Sequence, residues 1–426
     1  MQQRGSLNCP LFFLFEKLGR CLCPTNDCDT TSASQDYRLK ALGQGANLQV
    51  RHTAVTLRQT ARNILVSLDK RIEMIILLMF LGGLVLLIGG AEALVRGAGK
   101  LAISFGVSPL VVGLTVVAFG TSSPEMAVSV QSAFNGKVDL AIGNVIGSNI
   151  FNVWFVLGAC ALIAPLMINR QIIRQEVPIM IGATLLLVGF LWNGEVSQTE
   201  GSIMFALLVI YTVFLIIQSR KEKKITAAED AELDLSSTWD RHWSVQVLLI
   251  AVGLFLLVQG SNWLVEAATV FAKSMGVSEL VIGLTIVAAG TSMPEVATSI
   301  LATMRGQRDI AVGNVIGSNT FNILGVLGLT GIIAPNSLVV APSIVSFDMW
   351  VMLAVAVACF PIFLTGRQIA RWEGAVFLGY YLAYTAYLIL MSQEHDMLPM
   401  LSNVMFWFVV PITVVTIIAS LHRSSR

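Results

Sequence analysis

The sequence predicts an all-α polytopic membrane protein with two inverted repeats of five transmembrane helices and an eleventh, C-terminal span. Three observations predict this fold class: the composition, the spacing of apolar segments and an internal repeat. Of the 426 residues, 55% are hydrophobic and 12% are charged, and the mean hydropathy is +0.76. Because soluble domains carry about 25% charged residues, most of this chain belongs in a lipid bilayer. The net charge of +1 gives no sign of a nucleic-acid partner.

Apolar segments follow one another closely from Met74 onward. A helix needs about 20 apolar residues to cross the hydrocarbon core of a bilayer. By this measure the first half holds five spans, near 74–93, 106–134, 139–165, 177–193 and 200–218. Five more lie near 244–264, 276–304, 309–335, 343–365 and 371–391, and the eleventh lies near 399–421. The predicted units are therefore two membrane repeats, a connector and a C-terminal span with its tail, at 74–218, 244–391, 219–243 and 392–426.

The distribution of lysine and arginine between the loops predicts the orientation in the membrane. If residue 74 lies outside, the inside loops carry basic clusters near 96–100, 170–174, 220–224, 305–308 and 367–371. Lys137 and Lys273 are the only basic residues of the repeats that fall in outside loops. The connector 219–243 is then cytoplasmic, and we expect a multi-pass protein of the plasma (inner) membrane.

Residues 1–73 differ from the rest of the chain. They are polar, they carry ten Lys and Arg residues, and they contain no apolar run long enough for a signal peptide. Since the predicted orientation would export this basic segment, we expect a disordered extension or a mis-assigned start. Four cysteines fall in it, but they lack the paired C-x-x-C spacing of a metal site.

An internal repeat is the most informative feature of the sequence. Residues 106–165 align with 276–335 without a gap, and 35 of the 60 positions are identical. The identical positions include polar motifs, GTSxPE and GNVIGSNxFN, which packing between apolar helices does not by itself require. Because each repeat unit has five spans, an odd number, the second unit enters the membrane from the opposite side. Inverted repeats of this kind are typical of transporters, with the substrate site where the repeats meet near the midplane.

The motif GTSxPE places a carboxylate in the middle of each repeat's second span, at Glu125 and Glu295. A charged side chain at this depth costs at least about 2.5 kcal/mol and indicates function. The preceding Pro124 and Pro294 donate no N–H and crowd the carbonyl four residues earlier. We therefore expect both helices to break and to free backbone carbonyls within 118–121 and 288–291.

The motif GNVIGSNxFN supplies neutral oxygens. Asn144, Ser148 and Asn152 recur every four residues and share one helix face. Asn314, Ser318 and Asn322 repeat the pattern in the second copy. Such side chains can also act as hydrogen-bonding contacts between helices, and we expect Asn144 and Asn314 to have that packing role. The G-x-x-x-G spacings 143–147 and 313–317 predict close approach of a neighbouring helix.

Together these motifs predict a cage of oxygen ligands, which hard cations such as Ca²⁺ and Na⁺ prefer. Two glutamates carry a charge of −2, which one divalent or several monovalent cations can neutralise. Competition between the two kinds of ion for the same oxygens is sufficient for antiport. Transport then requires only that the repeats, or a gating bundle, move around a fixed site.

The two copies of GTSxPE and GNVIGSNxFN resemble the alpha repeats of the calcium/cation antiporter superfamily, closest to its prokaryotic calcium/sodium antiporters. The resemblance covers about 74–391 and implies ten core spans, with calcium and sodium as transported ions and no cofactor. It implies that Glu125 and Glu295 are the shared carboxylate ligands. It also implies neutral ligands: carbonyls at Thr121, Thr291, Ala118 and Ala288, sodium-binding hydroxyls at Ser122, Ser292, Ser148 and Ser318, and a central amide at Asn152.

One position departs from the family pattern. Asn322 stands where well-studied members carry an aspartate, which leaves the sodium stoichiometry open. The GNxxE motif of proton/calcium exchangers is absent, which favours sodium as the counter-ion over protons; potassium-dependent exchange also stays open. A cation channel is a further alternative, although channels usually form their ligand rings by oligomeric symmetry. An enzyme is not predicted, because no nucleophile or nucleotide loop accompanies the glutamates. A monomer is sufficient for transport, and the sequence does not determine the oligomeric state.

Overall fold

The structure of the protein, a computed structural model, describes residues 74–105, 107–222, 242–274 and 288–424. These residues fall within one compact unit, Glu73–Arg426. The predicted extension 1–73, most of the connector 219–243 and the first part of the span 276–304 lie outside the described residues.

The first repeat forms helices because a helix satisfies its own backbone hydrogen bonds in an apolar surrounding. Its elements are α1 (Met74–Phe105), α2 (Pro109–Thr121), α3 (Ser123–Phe134), α4 (Val138–Ile163), β1 (Leu166–Met167), α5 (Ile172–Asn193), β2 (Glu195–Val196) and α6 (Gln198–Glu222).

The second repeat follows the same order and ends in an additional helix. Its elements are α7 (Trp243–Ser274), α8 (Ala288–Thr291), α9 (Met293–Met304), α10 (Arg308–Ile333), β3 (Leu338–Val339), α11 (Ile344–Leu364), β4 (Gln368–Ile369), α12 (Arg371–Ser392) and α13 (Leu398–Thr416). Within the described residues, nine helices are long and apolar enough to cross a membrane, or ten if α2 and α3 form one broken span. The predicted all-α membrane fold class is confirmed.

The helices differ from the predicted spans chiefly at their ends. α1 continues to Phe105 and α7 to Ser274, so the prediction that Arg96 and Lys100 lie in a loop is wrong. Long basic side chains can extend from a helix to the membrane surface while the backbone stays helical. α1 and α7 also pack closely: a Cβ added to Gly90 would lie 2.8 Å from the carbonyl oxygen of Gly253.

Two short antiparallel ribbons connect the loops of one repeat to those of the other. β1 pairs with β4, and β2 pairs with β3. A further contact joins the repeats at the start of α4, where Asp139 accepts a hydrogen bond from the backbone N–H of Ala341 at 2.8 Å. Each of these contacts joins loops that the charge pattern places on the same side of the membrane.

The core lies around α4 and α10. The most apolar stretch of α4 is 67% buried and that of α10 is 83% buried, whereas that of α13 is 0% buried. α4 and α10 carry the two copies of GNVIGSNxFN, so this motif lies at the centre of the molecule and the additional C-terminal helix at its edge. A second apolar cluster joins α1 and α7 to α2, α9 and α10.

Candidate cation-binding site

Both GTSxPE motifs break their helix, as the sequence predicts. α2 ends at Thr121 and α3 begins at Ser123, with a bend of 43° between them. Ser122 and Ser292 have matching non-helical conformations, with ψ values of 5° and 10°. The proline that follows cannot donate to the preceding turn but fits the first turn of a new helix. Glu125 and Glu295 therefore lie in the first turns of α3 and α9, where the helix dipole favours a negative charge.

Each glutamate accepts a hydrogen bond from a serine of the other repeat. Ser292 Oγ donates to Glu125 Oε1 at 2.8 Å, and Ser122 Oγ donates to Glu295 Oε1 at 3.2 Å. The serines of α4 and α10 lie beside them: Ser292 Oγ is 3.0 Å from Ser148 Oγ, and Ser318 Oγ is 3.5 Å from Glu295 Oε1. All six side chains are buried. The structure thus brings the predicted carboxylates and serines into one site.

The threonines of GTSxPE bind the asparagines that the sequence assigns to packing. Thr121 Oγ1 donates to Asn314 Oδ1 at 3.1 Å, and Thr291 Oγ1 donates to Asn144 Oδ1 at 3.2 Å. The amide nitrogens of Asn144 and Asn314 donate to serines on α3 and α9 at 3.1 and 3.0 Å. These two asparagines therefore fix the broken helices against α4 and α10.

The backbone expectation needs a correction at Ala118. Its carbonyl is not freed by the break, because it accepts from the backbone N–H of Ser122 at 3.0 Å. The carbonyl that loses its helical donor is the one four residues before the proline, at Gly120 or Gly290. In the second repeat Ser261 Oγ of α7 donates to the Gly290 carbonyl.

Among the described residues, four oxygens of the site have no hydrogen-bond partner although they are fully buried. They are Oε2 of Glu125, Oε2 of Glu295, Oδ1 of Asn152 and Oδ1 of Asn322. A buried polar atom without a partner costs about 1–3 kcal/mol, and more if it is charged. Native structures explain such atoms by a role or by an ion, and four unpaired acceptor oxygens suit a cation.

Few of the side chains that could bind a cation at this site are charged. Across the described residues no cluster of three or more His, Cys, Asp or Glu side chains could hold a metal ion. The site therefore has two carboxylates, and its other oxygens come from serine, threonine and asparagine side chains. This set matches the hard cations predicted from the sequence.

Close helix packing encloses one side of the site. A Cβ added to Gly317 on α10 would lie 2.7 Å from the backbone of Leu114 on α2, and one added to Gly313 would lie 2.9 Å from the Leu110 carbonyl oxygen. The predicted close approach at 313–317 is thus confirmed. At 143–147 no such approach is seen among the described residues, since a Cβ added to Gly147 would meet nothing within 4 Å.

Sequence reasoning missed three buried polar residues of the site region: Asn149, Asn319 and Thr298. Asn149 and Asn319 belong to the repeated motif, so their identity in both copies was an available signal. They lie off the four-residue pattern that pointed to Asn144 and Asn152. Thr298 has no such signal, because Val128 stands at the matching position.

Comparison with known proteins decides the family. The family described as sodium/calcium exchanger protein matches residues 75–217 and 245–390. The chain belongs to this family. As a family member it is an integral, multi-pass membrane antiporter of cations, in the calcium/cation antiporter group, and not an enzyme.

Several relatives and solved structures are similar over most of their length. The protein named CaxA of Alkalimonas amylolytica is 38% identical over 71% of this chain and 95% of its own. The sodium/calcium exchanger MaX1 of Methanosarcina acetivorans is 33% identical over 72% of this chain and 96% of its own. A structure of the sodium–calcium exchanger NCX_Mj superposes with a TM-score of 0.63 and 28% identity, covering 74% of this chain and 98% of that protein.

Proposed function

We propose that this exchanger moves Ca²⁺ in exchange for Na⁺, with both ions bound between Glu125 and Glu295. The observation that carries the proposal is the set of four buried, unpaired oxygens, two of them carboxylate oxygens, at the junction of the repeats. A bound cation would supply the partner that each oxygen lacks. The relatives named as sodium/calcium exchangers support the choice of ions.

Electrostatics favours one divalent cation at a time in this pair. A single Ca²⁺ balances the two carboxylates, whereas sodium must bind as two or more ions to do the same. Because Ca²⁺ takes six to eight oxygen ligands, the carboxylates need neutral oxygens beside them. Asn152 and Asn322 have unpaired oxygens in place for this role.

The remaining ligands would be hydroxyl and carbonyl oxygens. Ser122, Ser148, Ser292 and Ser318 each keep lone pairs that a sodium ion can use while the hydroxyl proton points toward a neighbouring acceptor oxygen. The carbonyls of Thr121 and Thr291 lie at the helix breaks, where a cation can approach the backbone. The carbonyl oxygens of Ala118 and Ala288 would bind the ion through the lone pair that does not accept a backbone hydrogen bond.

Alternating access would follow from the inverted arrangement of the repeats, which we propose from the reciprocal contacts between them. The serine at each helix break donates a hydrogen bond to the glutamate of the other repeat. Each two-stranded ribbon pairs a strand of one repeat with a strand of the other. Two arrangements of such a pair around one site would expose it to opposite sides of the plasma (inner) membrane.

Ion flux in liposomes tests this function. The full chain is reconstituted in sodium-loaded liposomes, and uptake of radioactive calcium is followed after dilution into sodium-free buffer. We expect uptake that needs the sodium gradient and is lost in Glu125→Gln and Glu295→Gln. Potassium, choline and an imposed proton gradient replace sodium as controls.

Each outcome has a defined meaning. Uptake driven equally by protons or potassium would change the counter-ion and leave the glutamate site in place. Single-channel currents would indicate a channel instead. Absence of calcium flux under every gradient would contradict calcium as the substrate.

A further inference from the structure

Asn319 lies in the middle of α10, beside the site, and its side chain is 3% exposed. Its oxygen Oδ1 accepts a hydrogen bond from Asn152 Nδ2 at 3.1 Å. Its own Nδ2 donates to the backbone carbonyl of Asn149 at 3.2 Å and lies 3.7 Å from the sulfur of Met180 on α5. Asn319 thus connects α4, α5 and α10 at the depth of Asn152.

These contacts determine which way both amide groups face. A backbone carbonyl and a thioether sulfur can only accept hydrogen bonds, so the NH₂ group of Asn319 must face them. Its oxygen must then face Asn152, where only an NH₂ group can pair with it. The oxygen of Asn152 is left pointing elsewhere, and it is the Asn152 oxygen that has no protein partner.

The second repeat lacks the equivalent interaction. Asn149 Nδ2 lies 3.6 Å from the sulfur of Met352 on α11, as Asn319 does with Met180. However, within the part of the chain that the structure describes, Asn149 Oδ1 has no partner, and neither amide atom of Asn322 has one. The Asn322 amide is therefore not oriented by a neighbouring side chain in this conformation.

We propose that Asn319 is a positioning residue that holds the Asn152 amide with its oxygen toward the bound cation. The proposal rests on the proposed function, since it assigns Asn152 to the cation. Without Asn319, the Asn152 amide loses its only hydrogen-bond partner among the described residues and can turn its NH₂ group toward the ion. An NH₂ group repels a cation, so the cost falls on binding and not on the maximal rate.

The test compares Asn319→Ala with Asn149→Ala, its matched control, in liposomes containing the full chain. Partners that orient a metal ligand typically contribute about 10–100-fold in metal affinity. We expect the calcium concentration for half-maximal exchange to rise at least about 10-fold in Asn319→Ala and less than about 3-fold in Asn149→Ala. The maximal rate should stay within about 2-fold of the parent in both.

A double-mutant cycle shows whether Asn319 acts through Asn152. In an Asn152→Ala background, Asn319→Ala should cause no further rise in half-saturation. If Asn319→Ala does not fold, Asn319→Leu keeps a side chain of similar shape but offers no oxygen to Asn152 Nδ2, and it should raise half-saturation for calcium at least about 10-fold as well.

The outcomes separate this inference from the function on which it rests. No sodium-driven calcium exchange in the parent protein would overturn the proposed function. Normal exchange in the parent, combined with one of three results, would overturn the positioning role alone: equal effects of the two alanine variants, additive effects in the cycle, or unchanged half-saturation in Asn319→Leu.

Discussion

The two halves of the candidate site carry the same motifs but hold their side chains differently. Glu125 accepts from Ser292 at 2.8 Å, whereas Glu295 accepts from Ser122 at 3.2 Å and from Ser318 at 3.5 Å. The asparagines differ further, because Asn152 donates a hydrogen bond to Asn319 while both amide atoms of Asn322 lack a partner in the described ranges. The second repeat therefore presents the more loosely held set of ligands.

The surroundings of the two half-sites differ at residues that the two repeats do not have in common. Ser261 on α7 donates to the freed carbonyl of Gly290, and Ala91 stands at the matching position of α1. Ser123 Oγ donates to the Phe119 carbonyl at 3.0 Å, whereas Met293 stands at its counterpart. Identical motifs thus acquire different environments from their neighbours. A pair of unequal half-sites suits a transporter that must bind one divalent ion in one step and several monovalent ions in the other.

The largest effect is expected from replacing the glutamate that each half of the site contains. Glu125→Gln or Glu295→Gln removes one of the two negative charges but keeps the side-chain shape. We expect each variant to lower sodium-driven calcium flux by at least about 100-fold, since a lone buried carboxylate cannot neutralise a divalent ion. Flux assays in liposomes measure this. Substantial calcium transport by either variant would mean that one half is sufficient.

Asn322→Asp should have the next largest effect and sharpens the contrast between the asparagines. The Asn322 side chain makes no hydrogen bond to the described residues, so an added carboxylate can act on the cation directly. We expect the affinity for calcium to rise about 10-fold, with a changed number of sodium ions per cycle in reversal-potential measurements.

Asn152→Asp is the matched control for that change. A carboxylate at this position faces Asn319 Oδ1, so the variant must break the existing hydrogen bond. We expect a smaller gain in affinity and a lower melting temperature. Equal gains in the two variants would contradict the difference between the halves.

The serines should show a smaller difference of the same kind. Ser292→Ala removes the 2.8 Å bond to Glu125 and the contact with Ser148, and we expect half-saturation for calcium to rise about 10-fold, the equivalent of about 1.4 kcal/mol. Ser122→Ala, which removes a longer bond, should raise it about 3-fold. Calcium titrations of both variants measure the effect, and a larger loss in Ser122→Ala would reverse the assigned order.

The effect expected to be smallest on transport is one on stability, and it compares the outer helices. Tyr211 donates to Glu176 at 2.6 Å, and Glu176 also accepts from Gln171 and Gln175. Tyr384 donates to Asp348 at 2.8 Å. We expect Tyr384→Phe to destabilise the protein by about 1–3 kcal/mol and Tyr211→Phe by less, because Glu176 keeps two donors. Thermal unfolding in detergent checks this order. Equal shifts in melting temperature would indicate that the Gln171 and Gln175 amides do not compensate Glu176 for the lost hydroxyl.

The sequence alone was sufficient for the fold class, and it predicted most of the side chains that lie together in the candidate site. Long apolar segments leave few structures possible in lipid, so spans follow from composition and length. Duplicated polar motifs at membrane depth pointed to the glutamates and serines, because polar side chains are costly there. Proline located both helix breaks through its missing N–H.

Only the tertiary structure decided how these groups meet. The exchange of hydrogen bonds between Ser122 and Glu295, and between Ser292 and Glu125, depends on packing between segments about 170 residues apart, which no local pattern encodes. The hydrogen bonds of Asn319 and of the Ala118 carbonyl also depend on the atoms nearby. A local sequence rule determines where a helix can form or break, whereas the partner of a buried polar atom is set by whichever helix packs against it.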